Sequence, residues 1–292
     1  MAKKFRGINI NPARYHKSQI KFFLVLIPMA LFIALPILFI ISHAFKPENE
    51  LFAYPPRFFV RVPTMQNFRD LVSIANESGI PFSRYLFNSL VTTVIGVFLS
   101  VLFTSTAAYA LSKLKFKGKK LLFEINTIAL MFVPIAVTIP RYLIIANTGM
   151  IDSYWVLILP LIAMPVGLFL VKQFIDQTPN ELIESAKIDG ASEMQIFIKI
   201  IVPIVAPALA TVGILSFQLL WNDVSGSSLY INDERMKTLA FYFSTLGART
   251  GNTVAGQGVL AAASLITFVP NIVIFIFLQN MVMNTMAHSG IK

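Results

Sequence analysis

Cysteine is absent from this chain, histidine occurs three times and tryptophan twice, and acidic residues number 14 against 24 lysines and arginines. Without cysteine there is no disulfide framework, no thiolate metal site and no thiol nucleophile. His16, His43 and His288 stand far apart, so metal-ligand spacing is missing too. No G-x-x-x-x-G-K-[ST] phosphate cradle exists; the glycine-rich text from Gly247 to Gly258 lacks the lysine and the preceding strand, and reads as a flexible outer loop. Nor does a series of Asp, Glu or His run through the apolar segments. Glu124 and Arg141 lie near the ends of one such segment, where they can pair or snorkel. A proton-coupled carrier needs an intramembrane relay, so that class is disfavoured.

Hydrophobic residues make up 56% of the 292 positions and charged residues 13%, with a mean hydropathy of +0.71. That is too apolar for a soluble domain of this length. Runs near the roughly 20 residues that cross a bilayer fall at about Phe22 to Ser42, Leu86 to Leu111, Leu121 to Ile145, Tyr154 to Val171, Ile200 to Trp221 and Val259 to Val282. The expected fold class is an all-α integral membrane protein with six transmembrane helices. The first run has the basic start and Ser42-His43-Ala44 end of a signal peptide, but it is longer than the roughly 7 to 15 residues of such a core and is read as a retained span. Prolines fall in five of the six runs: Pro28 and Pro36, Pro134 and Pro140, Pro160 and Pro165, Pro203 and Pro207, and Pro270. Each removes a backbone hydrogen bond and favours a kink.

Charge sets the orientation. Lys3, Lys4, Arg6, Arg14, Lys17 and Lys21 precede the first run without an acid, and Lys113, Lys115, Lys117, Lys119 and Lys120 crowd the turn after the second. Both stretches belong in the cytoplasm, which also places both termini and the loop around residue 190 there. Segments His43 to Tyr85, Ala146 to Ser153 and Asn222 to Gly258 then lie outside. Because the basic N-terminus abuts a span, no nucleic-acid partner is expected. The proline- and aromatic-rich stretch Pro47 to Pro63 reads as a loop on the membrane surface, with Phe52, Tyr54, Phe58 and Phe59 at the headgroup level. An aromatic ligand cradle is the other reading of the same four rings.

The loop between the fourth and fifth runs breaks the charge habit. From Lys172 to Lys199 it carries Asp176, Glu181, Glu184, Asp189 and Glu193 against three lysines. Thr178 followed by Pro179 and Glu181 predicts a capping box opening one short helix. Gly190 predicts a left-handed helix end, and Ser192 with Gln195 a second capping box. Small Ser185, Ala186 and Ala191 would admit another protein surface close to the backbone, and Glu184 and Asp189 would offer acceptors to its cations.

These residues carry a resemblance. Glu184-Ser185-Ala186, then Gly190, then after nine residues Ile200-Ile201-Val202-Pro203 are similar to the E-A-A-x-x-x-G and I-x-L-P signature of permease subunits of binding-protein-dependent ABC importers, with Ser185 and Val202 as conservative departures. The text from Gln173 to Ser192 and the closing A-H-S-G-I-K resemble the carbohydrate branch, in particular its maltose-type second permease. The resemblance extends from about Ser83 to the C-terminus. It implies a type I importer permease fold in the bacterial cytoplasmic membrane, with a coupling helix at about 179–190. Residues 1–83 would hold the cytoplasmic tail, first helix and outer loop, 84–282 the transmembrane domain and 283–292 a cytoplasmic tail. The implied partners are a second permease, two cytoplasmic ATPase subunits and an extracytoplasmic solute-binding protein, for import of a sugar or oligosaccharide. The chain would bind no cofactor; ATP and Mg would sit on the ATPase, so the chain is expected not to be an enzyme. The same architecture importing a modified glycan or a non-sugar, or a stand-alone secondary carrier, are the alternatives.

Candidates for a solute path are fewer: Thr104, Gln218, Asn222 and Asp223. The small and hydroxylated set Ser100, Thr104, Ser105, Thr106, Ala107 and Ala108 supports close helix packing or lines a path. Asp223, beside Asn222 and Trp221, is either a polar gate or a solvated neighbour of an interfacial tryptophan anchor.

Overall fold

The computed structural model describes residues 20–77, 79–250 and 253–289, with side chains given except for 249, 250, 255 and 283–289. The basic residues Lys3 to Lys17 and the last three residues lie outside the described part.

Helix α1 (Ile20–Ala44) is apolar around its whole circumference and, among the described residues, packs chiefly along the last helix. Its end is pinned by the segment that follows. Ser42 Oγ donates to the Phe58 carbonyl and accepts from Val60 N, both at 2.8 Å, while buried Lys46 donates to the Arg57 carbonyl. The expected surface loop thus contains a short helix α2 (Glu48–Leu51), whose Glu50 accepts from Arg61 N and Val62 N; those two bonds hold its carboxyl below the usual carboxylate range. Tyr54 and Phe59 stay exposed. Amphipathic α3 (Gln66–Glu77) then leads to α4 (Phe82–Lys113). At 32 residues α4 is about 48 Å long, longer than the expected 86–111 and longer than the ~30 Å hydrocarbon layer.

Proline decides which of the later spans stay straight. Helices α5 (Lys119–Ala129) and α6 (Thr138–Asn147) meet at 111° across a 3-10 turn that begins at Pro134. Helices α7 (Tyr154–Ile162) and α8 (Pro165–Asp176) meet at 44°, and Met164 before the proline is extended, as steric clash with the ring requires. After α9 (Asn180–Ile188) and α10 (Glu193–Ile196), a π stretch Phe197–Ile201 and α11 (Val202–Ile204) meet α12 (Ala206–Trp221) at 79°. The expected single spans at 121–145 and 154–171 are therefore bent pairs, and the fifth straight segment starts at Ala206 rather than Ile200. Pro28, Pro36 and Pro270 leave their helices unbroken.

The chain continues through α13 (Ser225–Tyr230), a 3-10 turn at Glu234–Met236, α14 (Leu239–Thr250) and α15 (Val254–Ser289). The expected glycine-rich outer loop is corrected on both sides of residues 251 and 252, which lie outside the described part: Gly247 lies inside α14, and Gly256 and Gly258 lie inside α15. Gly258 is small for a packing reason, since a Cβ there would sit 2.5 Å from Asn67 Oδ1 on α3. Asn67 in turn donates to the carbonyls of Ala44 and Lys46 at 2.9 and 2.8 Å, locking α1, α3 and α15 together.

Helix α4 is the ruler of the bundle, packing on α12, α8 and α7. Ser100, Thr104, Ser105 and Ala108 are buried in these contacts. At its first end Arg84 and Asn88 reach Tyr154 and the carbonyls of Arg235 and Lys237. Asp152 in the α6–α7 loop accepts from Asn232 and Asp233 at the same level, and these bonds keep its carboxyl below the usual range. At the other end, Tyr109, Ser112 and Lys113 meet residues 176–193. The basic turn and the acidic loop thus share one end of the bundle, and the 146–153 and 222–238 segments share the opposite one.

Candidate functional site: the acidic elbow between α8 and α12

Residues 178–196 form a bent plug held from below. Its first helix starts differently from the sequence expectation. Pro179 is the N-cap of α9, not its first helical residue, and no side chain caps the helix. Thr178 is therefore one residue too early for a capping box with Glu181; it is buried and its Oγ1 has no hydrogen-bond partner. The start is secured instead by Lys113, whose Nζ donates to the Thr178 carbonyl at 2.7 Å and to Asn180 Oδ1 at 2.8 Å. Glu181 remains exposed in the first turn, where the helix dipole favours it.

The turn follows the residue types. Gly190 has φ +83°, Ala191 N bonds the Ala186 carbonyl at 2.9 Å and Gly190 N bonds the Lys187 carbonyl at 3.1 Å. These are the paired bonds of a Schellman helix end. Ser192 and Gln195 then form the expected capping box, with Ser192 N to Gln195 Oε1 at 2.8 Å and Gln195 N to Ser192 Oγ at 3.4 Å.

An ion pair bridges the turn: Lys187 Nζ lies 2.5 Å from Glu193 Oε1. Tyr109 Oη, from α4, donates to the other oxygen at 2.6 Å. Lys187 first and Tyr109 second hold the Glu193 carboxyl below the usual range. Lys187 is thereby engaged away from Glu184. Among the described residues, Glu184 and Asp189 have no ion pair, and both are exposed with Ser185 and Gly190. Ala186 and Ala191 are half-buried against the core that Ile183, Ile196 and Tyr109 share. The sequence reading missed the elbow's exposed apolar residues, Ile188 at 87% and Met194 at 64%, and the anchors Tyr109, Ser112 and Lys113 on α4. Polar groups at the i, i+3 and i+4 positions of one helix end were the available signal for those anchors.

The four solute-path candidates are not brought into one cavity. Buried Thr104 borders a space of about 190 Å³ with Asn126 and Pro165; Asn222 borders one of about 370 Å³ against α1 and α15; Asp223 borders one of about 420 Å³ with Arg141 and Tyr230; Gln218 lies exposed on α12. Trp221 is not an interfacial anchor. It is buried, stacked on Phe217 at 5.8 Å, and donates to the Thr267 carbonyl at 3.0 Å. Asp223 accepts from Ser225 N and Gly226 N at the start of α13. No metal-binding cluster occurs among the described residues.

The family model described as "Binding-protein-dependent transport system inner membrane component" matches residues 96–283. Protein LplC of Bacillus subtilis is 34% identical over 256 residues, covering 84% of each chain. The arabinooligosaccharides transport system permease protein AraQ of Halalkalibacterium halodurans is 31% identical over 259 residues, covering 88% of this chain and 90% of its own. The fold is similar to a chain in the crystal structure of a bacterial ABC transporter involved in the import of the acidic polysaccharide alginate: TM-score 0.77, 22% identity, 92% of this chain and 99% of that one.

Proposed function

The chain belongs to the family of binding-protein-dependent transport system inner membrane components, and from that premise we propose that it is the permease subunit through which an ATP-driven importer moves a sugar or oligosaccharide. The relatives named for oligosaccharide transport support the substrate class. A second permease would complete the path, two cytoplasmic ATPase subunits would hold ATP and Mg, and an extracytoplasmic solute-binding protein would deliver the solute. The chain itself is not an enzyme. The elbow faces the cytoplasm, as do both termini.

One observation carries the coupling role: the elbow is sharply turned at Gly190, tied to α4, and presents Glu184 and Asp189 without an ion pair among the described residues. Closure of the ATPases would move the elbow, with Glu184 meeting a basic group, Ser185, Ala186, Gly190 and Ala191 admitting the closing surface, and Asp189 offering a second acceptor to its cations. Tyr109 and Lys113 pass that motion to α4. The far end of α4 bonds the outer segment at Arg235 and Lys237, so one rod joins motor side to solute side. The bends at Pro134, Pro165 and Val205 are where the bundle can flex.

The test is Gly190→Asp in cells that depend on the chain for oligosaccharide uptake. Expected is normal insertion with loss of uptake and of ATPase co-purification. Accumulation of solute by vesicles holding this chain alone would contradict the proposal.

A further inference from the structure

A cavity of about 780 Å³ opens at the elbow end of the bundle, between the end of α4, the turn at Gly118, the start of α5 and α8. Phe116 and Phe123 form its aromatic walls, and Lys119, Lys120 and Lys172 bring cations into it from two separate elements. Some of that charge is engaged. Lys172 pairs with Asp176 at 2.6 Å over the Phe123 ring, and Lys119 donates to the carbonyls of Ser112 and Leu114 at 2.8 and 3.2 Å. Lys115 and Lys117 are exposed without a partner among the described residues. Lys120 is 92% exposed and 3.8 Å from Glu124, a pairing that water screens to little value.

Three lysines line the cavity, at 119, 120 and 172, against two acids, Glu124 and Asp176; exposed Lys115 and Lys117, next in sequence to the lining residues Phe116 and Gly118, raise the local surplus from one positive charge to three. Directly beyond the cavity, α5 exposes the aliphatic residues Leu121, Leu122 and Ile125, at 51–60%. Cations at the mouth of a cavity and an apolar wall leading away from it match the two parts of one molecule. We propose that this cavity holds the phosphodiester headgroup of an anionic glycerophospholipid, with its acyl chains along α5. Basic pockets between transmembrane helices on the cytoplasmic side have the chemistry to hold such headgroups. Topological lysines alone need neither the concave aromatic walls nor Lys172, which comes from a different helix. The site stands apart from the elbow's ATPase-facing surface and goes beyond the transport reading.

The experiment uses the full chain in nanodiscs of phosphatidylcholine with a minority of phosphatidylglycerol, followed by native mass spectrometry of the lipids retained. A juxtamembrane lysine strengthens anionic-lipid attraction by roughly fivefold, so Lys115→Gln/Lys117→Gln/Lys120→Gln should lower phosphatidylglycerol retention by ~10-fold or more. The matching Lys→Arg triple should retain it, and Lys3→Gln/Lys4→Gln/Arg6→Gln, which removes equal charge elsewhere, should leave it unchanged. Equal losses in the two glutamine triples, displacement of the lipid by inorganic phosphate alone, or occupation of the cavity by a co-purifying protein subunit would each overturn the assignment.

Discussion

Substitution of Gly190 separates backbone strain from intermolecular contact. Its φ of +83° is a left-handed conformation, which costs a residue with a Cβ about 1–2 kcal/mol while asparagine adopts it more readily. A Cβ built there meets nothing within 4 Å. Within this chain, then, Gly190→Ala should cost ~1 kcal/mol and Gly190→Asn less. The elbow should survive both, because two Schellman bonds, the Ser192–Gln195 box and the Lys187–Glu193–Tyr109 clasp remain. A strain-only effect is thus bounded at about thirtyfold for alanine, since 1.4 kcal/mol is a factor of ten and the strain reaches about 2 kcal/mol at most, and asparagine should lie closer to the parent than alanine. If a partner closes on this turn, side-chain bulk dominates and the order reverses. ATPase retention in detergent co-purification should then fall more than tenfold for Gly190→Asn, and further than for Gly190→Ala. Membrane insertion should be unchanged. Normal retention with Gly190→Asn would refute the reasoning.

Other outcomes follow from single contacts. Tyr109→Phe removes a 2.6 Å bond to a carboxylate, of the kind worth about 1.5–3 kcal/mol; solute moved per ATP hydrolysed should drop while ATPase recruitment persists, and an unchanged ratio would remove α4 from the coupling route. Gly258→Ala drives a Cβ to 2.5 Å from Asn67 Oδ1, and overpacking costs ~1–3 kcal/mol, so thermal stability should fall; Gly247→Ala, with its nearest neighbour at 3.8 Å, is the neutral comparison. The Glu193 carboxyl titrates below its unfolded value, so its contribution is complete above about 4.3 and vanishes as pH falls through the folded value. Protease protection of the elbow should accordingly be flat from neutral pH down to that point and drop below it, with Glu193→Gln abolishing the drop. Loss of protection near neutrality in the parent would assign the effect to another group.

Local signals in the elbow were legible where the chain itself supplies both partners. Gly190 turns left-handed and Ser192 meets Gln195 three residues on, because each interaction closes within one helical turn. The Thr178–Glu181 box failed because a competitor came from 65 residues away: Lys113 holds the Thr178 carbonyl and α9 begins one residue later. Prolines announced bends, but only neighbours determine which become breaks. Pro134 and Pro165 each start a new helical segment after an extended residue, whereas Pro28, Pro36 and Pro270 lie within continuous helices. The glycines from 247 to 258 read as loop from composition, yet Gly258 is a packing residue set by Asn67. Six apolar runs and their basic flanks were plain in the sequence; the 111° fold of the third was not.

Because the chain contains no cysteine, a single Ser185→Cys marks the exposed elbow with a unique thiol. An impermeant maleimide should label it in inside-out vesicles and not in right-side-out ones, and bound ATPase subunits should protect it. Labelling from the outer face, or unaltered labelling with the ATPase bound, would contradict the assignment of this elbow as the entry point for force.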